Sequence, residues 1–293
     1  MILVAGSANL DFVVRAGHIP APGETVLGRE FRTFPGGKGA NQAVACARAG
    51  GVATAMLLAL GDDAFAAPLE ASLQDAGVQL HIKRSADQPT GTAFICVSDD
   101  AENAITVAPG ANNTLLPSDL VDLAGVSHLV MQLETPLHAV SAYAKAARAK
   151  GVAVVLNAAP AQHLPPELLA NLDVLIVNEG ELAVVADHPG SIEGAFARLN
   201  VPCVVVTLGS RGSLAFVDGQ IIRQAAFPIT PVDTTGAGDT FVGSFVAALS
   251  QGATHQDALK QASGASALAC LTAGAQASIP TRAQVQDFLA KQN

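Results

Sequence analysis

A strand-then-helix rhythm runs through the middle of this chain. Residues 53–59, 128–131, 152–156, 174–177 and 204–208 are short apolar runs rich in β-branched and aliphatic side chains, and residues 65–76 and 137–150 are helix-like stretches between them. Such alternation lays successive strands side by side in parallel, each crossover being a helix packed on the sheet. Half of the 293 residues are hydrophobic, enough to fill a substantial core. The expected class is α/β, with a central, mostly parallel sheet flanked by helices.

Two segments break the rhythm. Residues 12–34 consist of short apolar and β-branched pieces interrupted by Pro20, Pro22 and Gly23; in the second segment, 92–97 and 104–107 flank a polar turn at 98–103. Together, about 12–35 and 90–108 would form a small β-sheet lid inserted into one domain spanning 1–293. No tandem repeat, low-complexity tract or linker divides the chain.

The most informative stretch is Asp233-Thr234-Thr235-Gly236-Ala237-Gly238-Asp239-Thr240, between a strand-like run (220–226) and an apolar helix-like run (241–249). Gly236 and Gly238 allow a tight turn whose N–H groups point into one small volume at the positive end of the following helix, an anion cradle. Asp239 puts a carboxylate where negative charge is unwelcome unless it takes part in the chemistry. A hydroxyl against Asp239 and a phosphoryl group over the amides of Gly236, Ala237, Gly238 and Asp239 would bring base and charge-stabilising donors to one transfer. A helix start with Asp239 as its cap or first-turn acid explains the same residues.

Other polar residues gather at strand ends and glycine turns. Asn9 and Asp11, in the turn Gly6-Ser7-Ala8-Asn9-Leu10-Asp11, can accept from neighbouring sugar hydroxyls or simply form the turn. In Pro35-Gly36-Gly37-Lys38-Gly39-Ala40-Asn41-Gln42-Ala43, ahead of a helix-like run at 44–49, paired glycines allow close backbone approach, Lys38 adds charge, and Asn41 is both donor and acceptor. It lacks the spacing of a P-loop. Glu134, Asn157 and Asn178 follow strands and could line one rim. In Asn178-Glu179-Gly180-Glu181 the outer two residues could hold water around a nucleotide-bound Mg²⁺, or cap a helix. The turn Gly209-Ser210-Arg211-Gly212 could meet a nucleotide or close a hairpin.

The formal charge of −9, with only 16 Lys and Arg thinly spread, offers no patch for nucleic acid or an anionic membrane, so a small-molecule partner is expected. Cys46, Cys96, Cys203 and Cys270 are far apart and read as reduced thiols. The start lacks a basic leader, and no apolar run approaches the roughly 20 residues that span a bilayer. A cytoplasmic location is expected.

The Gly36 to Ala43 and Asp233 to Thr240 motifs, distant and in this order, resemble the two signatures of the ribokinase-like (PfkB) carbohydrate kinase family, over essentially the whole chain. Gly6 to Asp11, Pro22-Gly23-Glu24-Thr25, Pro109-Gly110-Ala111-Asn112 and Gln132-Leu133-Glu134-Thr135-Pro136 bring it nearest the members that phosphorylate ribose. The resemblance implies a three-layer fold with a β lid over the sugar, and a homodimer formed through the lids. It places Asn9, Leu10, Asp11, Gly37, Lys38, Gly39, Ala40, Asn41 and Glu134 around the sugar, and makes Asp239 the base for its 5-hydroxyl. Asn178, Thr207, Leu208, Gly209, Ser210, Arg211, Gly212, Gly238, Asp239 and Ser263 fall at positions around ATP, with Ser263 replacing an Asn or His common there. Glu181 falls where hydrated Mg²⁺ is organised. Asp233, Thr235, Ala269, Thr272, Gly274 and Ser278 match a monovalent-cation (K⁺) site, an all-oxygen environment suited to a hard cation.

The implied reaction is ATP-dependent phosphorylation of ribose. Rivals are a related kinase for fructose, a nucleoside or 2-keto-3-deoxygluconate, with Ala8, Ala40 and Ile105 as pocket residues that could shift the choice, or a non-catalytic sugar-binding sensor. Retention of Asp239 and both glycines weighs against a sensor. A dinucleotide-dependent dehydrogenase is disfavoured, because no Gly-x-Gly-x-x-Gly follows the first strand.

Overall fold

The computed structural model describes residues 1–100 and 102–292. Ala101, within the 98–103 turn read from the sequence, lies outside the described residues. The first third holds β1 (Ile2–Ala5), β2 (Asn9–Arg15), β3 (Glu30–Gly36), α1 (Lys38–Arg48), β4 (Thr54–Gly61), α2 (Ala66–Asp75), β5 (Gln79–Ser85), β6 (Gly91–Val97) and β7 (Asn103–Ala108). Then come β8 (His128–Met131), α3 (Leu137–Ala149), β9 (Ala153–Asn157), α4 (Pro166–Leu169), β10 (Val174–Asn178), α5 (Glu179–Val185), α6 (Ile192–Phe196) and β11 (Cys203–Thr207). They are followed by β12 (Ser213–Val217), β13 (Gln220–Gln224), α7 (Ala237–Ser250), α8 (His255–Ala269) and α9 (Arg282–Ala290).

Among the described residues, nine strands form one sheet in the order β13-β12-β11-β10-β9-β8-β1-β4-β5. Neighbours from β11 through β5 run parallel, while β12 is antiparallel to both β11 and β13. The central strands are unbroken apolar runs because both of their faces are covered. Ile2, Val4, Val130, Val155, Ile176 and Val205 feed one core with Val44 of α1, Phe245 of α7 and Leu259 of α8. Leu3, Ala5, Leu129, Met131, Val154 and Val204 feed a second core, under Tyr143 of α3, Leu182 of α5 and Phe196 of α6. The mostly parallel sheet expected from the strand–helix rhythm is therefore present with helices on both faces. No described helix is long and apolar enough to cross a membrane.

The two irregular segments assemble into one four-stranded sheet, β3-β2-β6-β7, with β2 and β6 parallel at its centre. It begins at Asn9, three residues ahead of the expected boundary. On one face Phe12 stacks between Phe31 and Phe94, at 6.0 and 5.4 Å, with Phe65 edge-on at 5.3 Å. Strand register puts Asp11, Ala93 and Val107 in one row of the opposite face, and Val13, Ile95 and Ile105 in the next. Ile105 and Val107 are exposed there.

Helices α1 and α7 begin earlier than the sequence suggested, at Lys38 and Ala237, so both glycine motifs run directly into helix starts. The helices cross on small residues. A Cβ on Gly243 would lie 2.5 Å from Ala45 Cβ and 2.6 Å from the Gln42 carbonyl oxygen, and one on Gly50 would lie 2.1 Å from Ala247 Cβ. This close approach holds the two N-terminal turns against each other. Gly243→Ala should lower unfolding free energy by about 1–3 kcal/mol, the usual cost of overpacking. Gly238→Ala, whose Cβ would meet nothing within 4 Å, should not be destabilised. Urea denaturation of the two variants checks the contrast.

Candidate active site

At the start of α7, Gly236 takes a left-handed conformation (φ 73°) that glycine adopts without strain, and its carbonyl accepts from the Thr240 N–H at 2.8 Å. The Ala237 N–H turns back to the Thr234 carbonyl at 3.2 Å, whereas those of Gly236, Gly238 and Asp239 have no partner among the described residues. Three free donors therefore stand at the positive end of a 14-residue helix. Gly238 has an ordinary backbone conformation, so what its missing side chain secures is open space in front of these amides.

Asp239 does not cap its own helix. Its carboxylate faces α1: Oδ2 accepts from Asn41 Nδ2 and Oδ1 from Gln42 Nε2, each at 2.9 Å. It is half-buried, open enough to meet a ligand. Asp239 is therefore not the cap, although it is an acid of the first turn of α7, whereas capping holds in full at Asn178 and Glu181. There, Glu181 N donates to Asn178 Oδ1 and Asn178 N to Glu181 Oε2, both at 2.8 Å, which leaves Glu181 Oε1 free.

Asn9 and Asp11 lie on β2 rather than in a turn. The Asn9 carbonyl oxygen accepts from Asn112 Nδ2 at 2.8 Å, so its amino group is the end left for a ligand. Asp11 is buried where a Gly36 Cβ would come within 2.2 Å of its carboxylate, so any side chain at 36 would push that carboxylate out of place. Burial first, and then the charges of Glu134 and Asp239, push its pKa up to about 7. Glu134 accepts from the Ser7 hydroxyl and from the Lys38 N–H at 3.1 Å, and the Gly39 N–H donates to Ser7 Oγ at 3.3 Å. Burial lowers the affinity of the Lys38 amine for its proton, but the carboxylates of Asp239, Glu134 and Glu181 outweigh it and the pKa is raised. Burial raises that of Glu181, against the opposing Asn178 hydrogen bond and Lys38 charge. One ammonium thus answers to three acids, with Asp11 beside two of them.

Several expected contacts are corrected. The side chains of Leu10, Ala8 and Ala40 are buried in the first core and cannot reach a sugar; Gly37 (φ 91°) and Gly39 serve as close-packing points against Ala8, Asn9 and Ser7. Ser7, Gln42, Asn112 and Gln132 belong to the polar cluster although they were not singled out as site residues. Gln42 sits inside the first glycine motif, next to Asn41, and that adjacency is the signal that could have found it.

Beyond the α7 turn opens a cavity of about 510 Å³, the size of a small-molecule site. Thr207, Gly209, Ser210, Gly212, Gly238 and Ser263 line it, as expected of nucleotide positions. Leu208 instead packs on the second core, and Arg211 forms an ion pair with Glu179. Phe227 and Ile229 add an apolar wall that sequence reading missed. Ser266, also on the lining, donates to the Ala237 carbonyl at 2.9 Å and so ties α8 to the helix start.

Asp233 fastens two loops together: Oδ2 accepts from the Gly274 N–H at 2.9 Å, and Oδ1 from the Thr235 N–H and hydroxyl at 2.9 and 2.7 Å. Burial acts to raise its pKa, but these hydrogen bonds and the Arg15 charge hold it below the usual value. An ionised carboxylate beside loop carbonyls and hydroxyls suits a hard monovalent cation. Glu181 Oε1, near Lys38 and Asp239, suits a contact to hydrated Mg²⁺.

A carboxylate in the first turn of a helix, between a cluster of acids and amides and a cavity of small-molecule size, is a layout that suits a small-molecule kinase. The chain belongs to the pfkB family of carbohydrate kinases, whose sequence pattern spans residues 1–282. It is 38% identical to a ribokinase of Haemophilus influenzae, over 98% of each chain, and 31% identical to a deoxyribokinase of Salmonella typhi, over 98% of each. Among solved structures, a ribokinase of Arabidopsis thaliana complexed with ribose and ATP is 35% identical, with a TM-score of 0.91 and 98% of each chain covered.

The raised pKa of Asp11 has a sign that stability measurements can read. Its folded value lies above the ordinary 3.8, so ionisation carries no penalty below about pH 4 and the full penalty once pH passes about 7. That rise corresponds to about 4 kcal/mol. Asp11→Asn should therefore stabilise the ligand-free protein more at pH 8 than at pH 5 in thermal melts, and an equal gain at both would contradict the assignment.

Proposed function

We propose that this protein transfers the γ-phosphoryl group of ATP to the 5-hydroxyl of D-ribose, giving ribose 5-phosphate and ADP. The observation that carries the reading is the position of Asp239, between the Asn9, Asp11 and Glu134 cluster and the cavity lined by Gly238 and Ser263. The sugar would sit with its hydroxyls on Asp11, Asn9 and Glu134. Asp239 takes the 5-hydroxyl proton as that oxygen attacks the γ-phosphorus, and the bond to the leaving ADP oxygen breaks. Free N–H groups at Gly236, Gly238 and Asp239 hold the charge that builds on the transferring group. Lys38 balances the acids around it.

Mg²⁺ bound to the nucleotide would supply charge neutralisation, with Glu181 and Asn178 as its nearest support through water. K⁺ would be held by Asp233, Thr235, Ala269, Thr272, Gly274 and Ser278, and fix the loop ahead of α7. The small sheet would act as a lid within one kinase domain, and its exposed Ile105 and Val107, on the face shared with Asp11, fit a homodimer made lid to lid. An ATP-using enzyme with four free cysteines fits the cytoplasm.

In a coupled ADP-release assay over a sugar panel that includes 2-deoxyribose, fructose, nucleosides and 2-keto-3-deoxygluconate, ribose should give the highest kcat/KM. Binding without turnover for every sugar would point to a sensor. Asp239→Asn should keep ribose binding yet lose about 10²–10⁴ in kcat, the usual worth of a general base. An unchanged rate would refute the assignment. Turnover should be faster in K⁺ than in Na⁺ at equal ionic strength, and equal rates would remove the cation from the mechanism.

A further inference from the structure

We propose that Gln42 is a positioning residue for Asp239, its orientation dictated by a chain of three side-chain amides anchored on the carbonyl of Ile176. The proposal rests on the reading of Asp239 as the base. A main-chain carbonyl can only accept, so Asn157 must turn its amino group to Ile176, at 3.0 Å. The Asn157 oxygen is then left to accept from Gln42 Nε2, at 2.9 Å. That fixes the Gln42 oxygen on the other side, where Gln132 Nε2 donates to it at 2.7 Å. Of the two hydrogens on Gln42 Nε2, one serves Asn157 and the second serves Asp239 Oδ1, at 2.9 Å.

The polarity of the chain cannot drift. Gln42 and Gln132 are fully buried and Asn157 nearly so, which leaves no solvent to exchange partners. Reversing Gln42 would set its carbonyl against the Asp239 carboxylate and the Asn157 oxygen together. The unmet need falls at the far end, where Gln132 Oε1 is buried with no partner among the described residues. Even that end is enclosed, since a Cβ on Gly6 would lie 1.9 Å from the same oxygen. A donor is thereby guaranteed at Asp239 Oδ1 while Asn41 supplies one at Oδ2, and the two bonds fix the orientation in which the carboxylate meets an incoming hydroxyl. The charged groups that bear on Asp239 are Lys38 from α1, Asp11 from β2 and Glu181 from α5, with Glu134 from the segment after β8 acting through Lys38 and Asp11. None of them moves when Gln42 is replaced by an uncharged side chain.

The test uses the full chain with Gln42→Met, which keeps the length of the side chain and removes the donor. Aspartate labelled at its carboxyl carbon is titrated by NMR, with the Asp239 signal identified by its loss in Asp239→Asn. Loss of the donor should raise the Asp239 titration midpoint by at least about 0.5 pH unit. In steady-state kinetics kcat should fall about 10–100-fold with KM for ribose changed less than about threefold, and the acidic limb of the kcat profile should move to higher pH. Asn157→Leu, which touches Asp239 only through Gln42, should shift the midpoint in the same direction by less, and it carries the test if Gln42→Met does not fold. A midpoint unchanged in the folded variants would overturn the proposal and reduce the amides to core packing. A raised midpoint in a protein that phosphorylates no sugar would leave the amide chain standing and sink the proposed reaction. Ribose turnover with an unmoved midpoint would do the reverse.

Discussion

The crossing of α1 and α7 on glycine and alanine is the constraint from which the rest follows. Gly243 against Ala45, and Gly50 against Ala247, allow backbone to meet backbone where larger side chains would hold the helices apart. Because the crossing is close, the first turns of both helices face one another, and Asn41 and Gln42 reach the carboxylate of Asp239 directly. Each helix brings a different asset: α7 its unpaired N–H groups, α1 its amide side chains and Lys38. Neither glycine motif makes a site alone.

Around that junction the electrostatics are deliberately unbalanced. Glu134, Asp239 and Glu181 share a single ammonium, and Asp11, the most buried acid of the site, holds its proton to about pH 7 because of that burial and the charges of Glu134 and Asp239. A ligand rich in hydroxyl groups relieves such a cluster, since each hydroxyl donates to a carboxylate that lacks partners. An anionic ligand would worsen it. The cavity on the other side of Gly238 has the opposite character, with free N–H groups and an apolar wall.

The class of fold was legible because buried parallel strands have to be continuous apolar runs, as 152–156, 174–177 and 204–208 are. The edge strand β5 was not legible, because at the rim of the sheet Lys83 and Arg84 replace the apolar run. Helix starts were placed late, since Gly36 to Gly39 and Gly236 to Gly238 look like loops until tertiary packing shows helix beginning within them. Asp239 was legible as an acid out of place, but not the direction it faces, which depends on α1 lying nearly two hundred residues earlier in the chain. Gln42 and Gln132 escaped attention for the same reason: an amide announces nothing until its partner is known.

Strands β1 and β2 are separated only by Gly6-Ser7-Ala8, yet they belong to different sheets. Asn9 and Asp11 therefore ride on the smaller body, while Glu134 and Asp239 are fixed to the larger one. The three-residue link is buried and tied on both sides, Ser7 to Glu134 and Ala8 to Asn112, so the span between the carboxylates of the two sheets is set by the fold like the jaws of a fixed gauge.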